Sequence, residues 1–180
     1  GGPGRLQITD VDSGSGRITV TLSVNNGKLT VDDTIQDGLV ASDIQGNRST
    51  RVTLTGTAAA IDRTLDANPG VTYQGNLNYF GQDLLTVQVN DRGFSGTGGA
   101  LSATKSAPIN INSVNDPPTV VNPIQDFTVA EDAPNTVIEL SPGVFGDPDD
   151  ATLTLTVPGN SDPSLVSATI AGTQLTLDYL

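Results

Sequence analysis

The chain has no cysteine, histidine, methionine or tryptophan. Without cysteine there is no disulfide framework and no thiol nucleophile. Without histidine the commonest general base and the commonest transition-metal ligand are both missing. Ser-His and Cys-His catalytic arrangements are therefore impossible. The absence of methionine leads to the expectation that these 180 residues are a processed piece or a fragment of something longer. Basic residues are scarce, 8 against 20 acidic ones, giving a net charge of −12. No basic stripe exists to neutralise phosphates, which excludes nucleic acid as a partner and disfavours anionic membrane surfaces. No apolar run approaches the length of a membrane span and no signal peptide is visible, so membrane insertion is not expected.

What is present is the vocabulary of short strands joined by turns. Leu, Ile and Val supply nearly all the apolar bulk, Thr is plentiful, and there are 20 glycines and 11 prolines. Residues 17–24 alternate strictly, with Ile18, Val20, Leu22 and Val24 on one face, as in a half-buried strand. Asn25-Asn26-Gly27 reads as a hairpin turn, because Asn-Gly tolerates positive φ, with residues 28–31 as the returning strand. Further strands are expected over 51–55, 84–89 and 107–112. Residues 57–67 break the pattern. They carry a Thr cap, three alanines, and Ile61 and Leu65 four apart, and Asn68-Pro69 stops them. One short helix bridging two sheets is expected there. Downstream, strands are expected over 127–129, 137–140, 151–157, 165–170 and 174–179.

The acidic residues are not evenly spread. Ser113–Pro118 (Ser-Val-Asn-Asp-Pro-Pro) lies between the two β-rich halves, and Asp147-Pro148-Asp149-Asp150 follows early in the second. An Asn-Asp pair beside two prolines is a stiff hinge carrying oxygen ligands. A second Asp cluster downstream in a turn is placed to fold back onto it. Asp10-Val11-Asp12 is a similar turn in the first half. The ordinary reading of this charge is solubility; the sharper one is a divalent cation, since calcium wants six to eight hard oxygens.

With these residues in view, the chain resembles bacterial cadherin-like tandem repeats of large extracellular adhesins. The resemblance is carried by "LTGTAAAI" and "NYFGQDLLTVQVNDRG" in the first half, "VAEDAP", "DPDD", "GNSDPSLVSATI" and "TLTLDY" in the second, and "VNDPP" at the joint. It implies an all-β chain of two immunoglobulin- or cadherin-like β-sandwich domains. These would be 1–114, a Pro-rich hinge at 115–118, and 119–180. It implies calcium at the joint, with Asn115 and Asp116 as linker ligands and Asp147 and Asp149 as the D-x-D turn facing them. Glu131 matches the acid after an opening strand and would serve a joint beyond the second domain. Asp10, Asp12 and Asp91 would face a preceding domain, and Asp83 matches the late acid of the first domain. Against the animal linker pattern D-x-N-D-N, Ser113 replaces the first Asp and Pro117 the last Asn, which implies fewer ions or weaker binding.

The two halves are weak repeats in different phase. The first is expected to lack its opening strand and the second its last strands. Two readings of this stand side by side. In one, a neighbouring copy completes each end by strand addition, giving a head-to-tail filament. In the other, the missing strands are covalently attached neighbouring repeats. Either implies a thread-like extracellular object with no enzymatic activity.

Other patterns carry less. Gly93–Gly99 lacks the Lys and the following helix of a phosphate-binding loop. Asp62 and Asp66, four apart on an exposed helix, are more simply a solvated face than a glycosidase pair. Asn47-Arg48-Ser49 is a formal glycosylation sequon with little meaning in a bacterial chain. The alternative to a structural module is a calcium-dependent carbohydrate-binding module for cell-surface or matrix glycans. With no Trp, its aromatic platform would have to come from Tyr73, Tyr79 and Phe80.

Overall fold

A computed structural model of the chain describes residues 16–93, 99–130 and 132–180. The chain divides into two compact units, Gly1–Ser113 and Val114–Leu180. Within the described residues both are built of antiparallel strands, with one short α-helix in the first.

The first unit contains β1 (Arg17–Ser23), β2 (Gly27–Val31), β3 (Ile44–Gln45), β4 (Arg51–Thr57), α1 (Ala58–Asp66), β5 (Val71–Gly75), β6 (Gly81–Asn90) and β7 (Ser102–Ile111). The main sheet has the order β3-β4-β1-β6-β7, and β2 and β5 form a separate two-stranded sheet. Central β1 shows how the pattern becomes structure. Residues directly opposite across a ladder share a face. Val20 lies opposite Leu54 and Val89, and Leu22 opposite Val52 and Val87. Apart from Val89, which is partly buried and packs against them, these aliphatic residues form one buried cluster with Ile18, Val24, Leu29, Val31, Leu39, Ile44 and Ile61, so residues of both sheets and the helix share a core.

The helix forms where expected. Alanine has the highest helix propensity, and the Thr57 hydroxyl caps the first turn by accepting the Ala60 amide at 3.2 Å. Ile61 faces inward, fully buried. Thr64 is equally buried yet polar, and its hydroxyl is spent twice: it accepts the Leu39 amide at 2.7 Å and donates to the Ala60 carbonyl at 3.0 Å. This side chain pins the 32–40 loop to the helix.

The expected hairpin at Asn25–Gly27 does not form. β1 pairs with β4 and β6, whereas β2 pairs with β5, so the chain crosses from one sheet to the other at this corner. Gly27 does not take positive φ; it is the first residue of β2, opposite Gly75. Its glycine serves close approach, because a Cβ there would meet the Tyr73 ring. The local turn preference loses to a buried carboxylate that takes both asparagine amides, described below.

The second unit contains β8 (Thr119–Val120), β9 (Thr136–Glu139), β10 (Phe145–Gly146), β11 (Val166–Ala171) and β12 (Gln174–Tyr179). β8 pairs with β10, and β11-β12-β9 form a three-stranded sheet. Gly172, at φ +62, begins the two-residue connection between β11 and β12, a position that favours glycine. Two expected strands are not formed. Residues 127–129 have strand patterning, but Phe127 and Val129 stand 48% and 45% exposed with no ladder beside them. Residues 151–157 likewise join no sheet. Alternation makes a segment fit a pleated surface, but a strand exists only where a neighbour accepts its amides.

Candidate functional site

The feature that positions the candidate site is the short β8–β10 ladder. Phe145 lies opposite Val120 and Gly146 opposite Thr119. In an antiparallel pair the residues preceding one strand meet those following the other. The Asn115–Pro118 segment is therefore brought beside Asp147–Asp150. The Thr119 hydroxyl reinforces this by donating to the Gly146 carbonyl at 3.2 Å.

The meeting is direct. The Asp116 amide donates to Asp149 Oδ2 at 2.5 Å. Asp147 Oδ1 accepts the amides of Asp149 at 2.8 Å and Asp150 at 3.0 Å, an Asx turn that sets the direction of the cluster. Asn115 turns its side-chain amide back to the Asp116 carbonyl at 3.2 Å. The second unit thus brings Asp116, Asp147 and Asp149 to one corner, with Asn115 adjacent. The donor set is all oxygen, the chemistry calcium takes. Among the described residues, however, no three acidic side chains converge at metal-holding spacing. Backbone carbonyls and water would have to supply several of the ligands.

The other expected metal ligands are dispersed. Asp10, Asp12 and Glu131 lie outside the described residues. Asp91 Oδ1 accepts the amides of Gly93 at 2.9 Å and Leu101 at 2.7 Å, closing the neck of the β6–β7 connection. Those amides hold its carboxyl below the usual aspartate value.

Asp83 is buried, at 2% exposure. Its Oδ1 accepts the amides of Asn25 at 2.9 Å and Leu84 at 2.7 Å. Its Oδ2 accepts the Asn26 amide at 2.9 Å and the Tyr73 hydroxyl, also at 2.9 Å. Burial pushes this carboxyl up, but the three amides and the hydroxyl together outweigh it and hold it below the ordinary value. Four donors converge here on one anion, which is the electrostatic inverse of a cation site.

No family model, curated protein or solved structure matches the chain.

Several other side chains are already committed. Tyr73 is half-buried with its hydroxyl on Asp83, and the Tyr79 hydroxyl donates to the Gln82 carbonyl at 2.9 Å. Of the three aromatics considered for a sugar platform, only Phe80 is broadly exposed. The sequon asparagine, Asn47, accepts the Val31 amide at 2.8 Å and donates to the Val31 carbonyl at 2.9 Å, acting as a surrogate strand for the edge of β2. Sequence reasoning missed two participants. Asp150 completes the Asx turn, and the D-P-D-D spelling carries that signal, since an Asp commonly caps amides two residues on. Tyr73 is the partner of Asp83, and nothing local in the sequence pairs them.

Proposed function

We propose that the chain is a non-enzymatic structural or adhesive module of a bacterial extracellular repeat protein. In this reading each unit is a cadherin-like sandwich, and calcium stiffens the joint at the acidic corner of the second. The observation that carries it is the hydrogen bond between the Asp116 amide and Asp149, two residues far apart in sequence that the β8–β10 ladder places together. Asp116, Asp147 and Asp149 would provide carboxylate oxygens, with Asn115 contributing through a carbonyl. The partners implied are neighbouring repeats or further copies of this chain in a filament.

The half-covered apolar side of β11-β12-β9 supports incompleteness of the second sheet pair. Ile138, Ile170 and Leu175 face the same way, as do Ala168 and Leu177. All are only partly buried.

Calorimetric titration of the chain with calcium tests the metal. Binding with a Kd of roughly 0.1 mM is expected, in the range of extracellular calcium modules. It should be lost in the Asp147→Asn/Asp149→Asn double variant and not reproduced by magnesium. No heat with calcium, together with unmoved amide resonances at Asp116 and Asp149, removes the calcium reading.

A further inference from the structure

The buried carboxylate of Asp83 is not used by the reading above, and its surroundings suggest a device. After Ser23, which is paired with Thr86 on β6, β1 leaves the main sheet and runs through the corner into β2. The amides of Asn25 and Asn26 lose their ladder partners at this departure. Asp83, three residues before Thr86 on β6, supplies an acceptor to each. From the second sheet, β5 contributes the Tyr73 hydroxyl to the same carboxylate. A single side chain thus ties together β6, the β1–β2 corner and β5. Gly27 lacks a Cβ where the Tyr73 ring crosses, so the ring can reach.

We propose that Asp83 and Tyr73 form a latch that joins the two sheets of the first unit at the β1–β2 corner, and that protonation of Asp83 releases it. Each carboxylate oxygen already faces two donors, so an added proton has no acceptor at Oδ1, where both neighbours are amides. At Oδ2 there is one way to place it. The Tyr73 hydroxyl also lies 3.1 Å from the Asn26 carbonyl. It can turn its hydrogen there and accept the new carboxyl hydrogen in its place. The Asn25 and Asn26 amides are then left on a neutral, weaker acceptor, and the corner loosens. Among the described residues, the titratable groups bearing on the site are Tyr73 from β5 and, behind it, Tyr79. Burial, the hydrogen bond to Asp83 and its charge raise Tyr73 to about 12, so below that pH it acts only as a donor or relay.

Amide hydrogen exchange and NMR titration of the whole chain test the latch. In Tyr73→Phe, which keeps the ring, exchange at Asn25 and Asn26 should quicken roughly five- to ten-fold, the loss of one net hydrogen bond. Exchange at Val20 and Val52 in the central strands should stay unchanged. In the unaltered chain, the amide shifts of Asn25 and Asn26 should titrate together with the Asp83 carboxyl, at a pH below that of an ordinary aspartate. Asp83→Asn should quicken the same amides further, because its NH2 group, wherever it sits, must face at least one backbone N–H. If that variant does not fold, Tyr73→Phe and the titration still decide. Unchanged protection of Asn25 and Asn26 in Tyr73→Phe overturns the latch. So does a uniform loss of protection across the unit, or a corner that opens at a pH unrelated to the titration of Asp83.

Discussion

β1 and β12 are spelled almost alike. Arg17–Ser23 alternates Ile18, Val20 and Leu22 with polar residues, and Gln174–Tyr179 alternates Leu175, Leu177 and Tyr179 in the same way. In β1 the aliphatic side chains are sealed, with Val20 at 0% exposure, whereas those of β12 remain half-covered. The difference extends to the units. Among the described residues, the buried apolar cluster lies in the first, and the second contributes only Leu140 and Val144 to the buried apolar residues. Alternation decides which face of a strand is apolar; a second layer decides whether that face leaves water. Because hydrophobic stabilisation follows area removed from water, identical patterns yield unequal stability.

The largest expected contrast comes from cutting the same kind of side chain in each unit. Ile61→Ala should destabilise the first unit by about 3–4 kcal/mol, through lost transfer energy plus a cavity. Leu177→Ala should cost the second only about 1 kcal/mol, since the side chain is partly in water already. Urea unfolding followed residue by residue checks both. Equal losses would mean that the second unit has a core as closed as the first.

A smaller effect isolates polar satisfaction. Thr64→Ala removes the acceptor of the buried Leu39 amide. It should cost about 1–3 kcal/mol, confined to the first unit. Thr64→Ser, which retains the hydroxyl, should recover most of this, and a failure to do so would assign the loss to the methyl group.

Acid should narrow the gap between the units. In the first, Asp32, Asp43, Asp83 and Asp91 are held below the ordinary aspartate value. Hydrogen bonds from Thr34 do this for Asp32, and Arg17 does it for Asp43. In the second, Asp162 is held low in the same way by Ser164. A depressed folded-state pKa adds stability that is complete above the unfolded value of about 3.9 and disappears as pH falls through the lower folded value. Lowering pH through this range should therefore cost the first unit more. Urea midpoints that stay equally far apart would contradict it.

The effect expected of calcium is also small. At about 1 mM calcium and a Kd of roughly 0.1 mM, binding adds on the order of 1.4 kcal/mol. Since Asn115, Asp116, Asp147 and Asp149 all lie in the second unit, only its unfolding should shift. A calcium shift in the first unit instead would place the ion elsewhere.

Much of the first unit was legible. The helix at Ala58–Asp66, its Thr57 cap and the inward faces of β1 and β4 follow from local periodicity and capping, which depend on neighbours a few residues away. The acidic corner was legible in part. The Asn-Asp-Pro-Pro and Asp-Pro-Asp-Asp spellings mark both segments, and the structure joins them through Asp116 and Asp149. The Asn25–Gly27 corner was misread for a definite reason. Its turn signal is local, but both asparagine amides are claimed by Asp83, 58 and 57 residues away. Such a contact costs the chain loop-closure entropy and leaves no periodic trace.

The sequence alone thus determined an all-β chain with one short capped helix, apolar faces on alternate residues, and oxygen-rich turns without thiol or imidazole chemistry. Only the tertiary structure decided which strands pair, that β1 and β2 part into different sheets, and that Asp83 is an anion held by four donors. It also decided that residues 127–129 and 151–157 carry a strand pattern without a ladder. The physical reason is common to all of these. Side-chain alternation is a property of a segment, whereas a backbone hydrogen bond or a buried charge needs a partner that the segment does not contain.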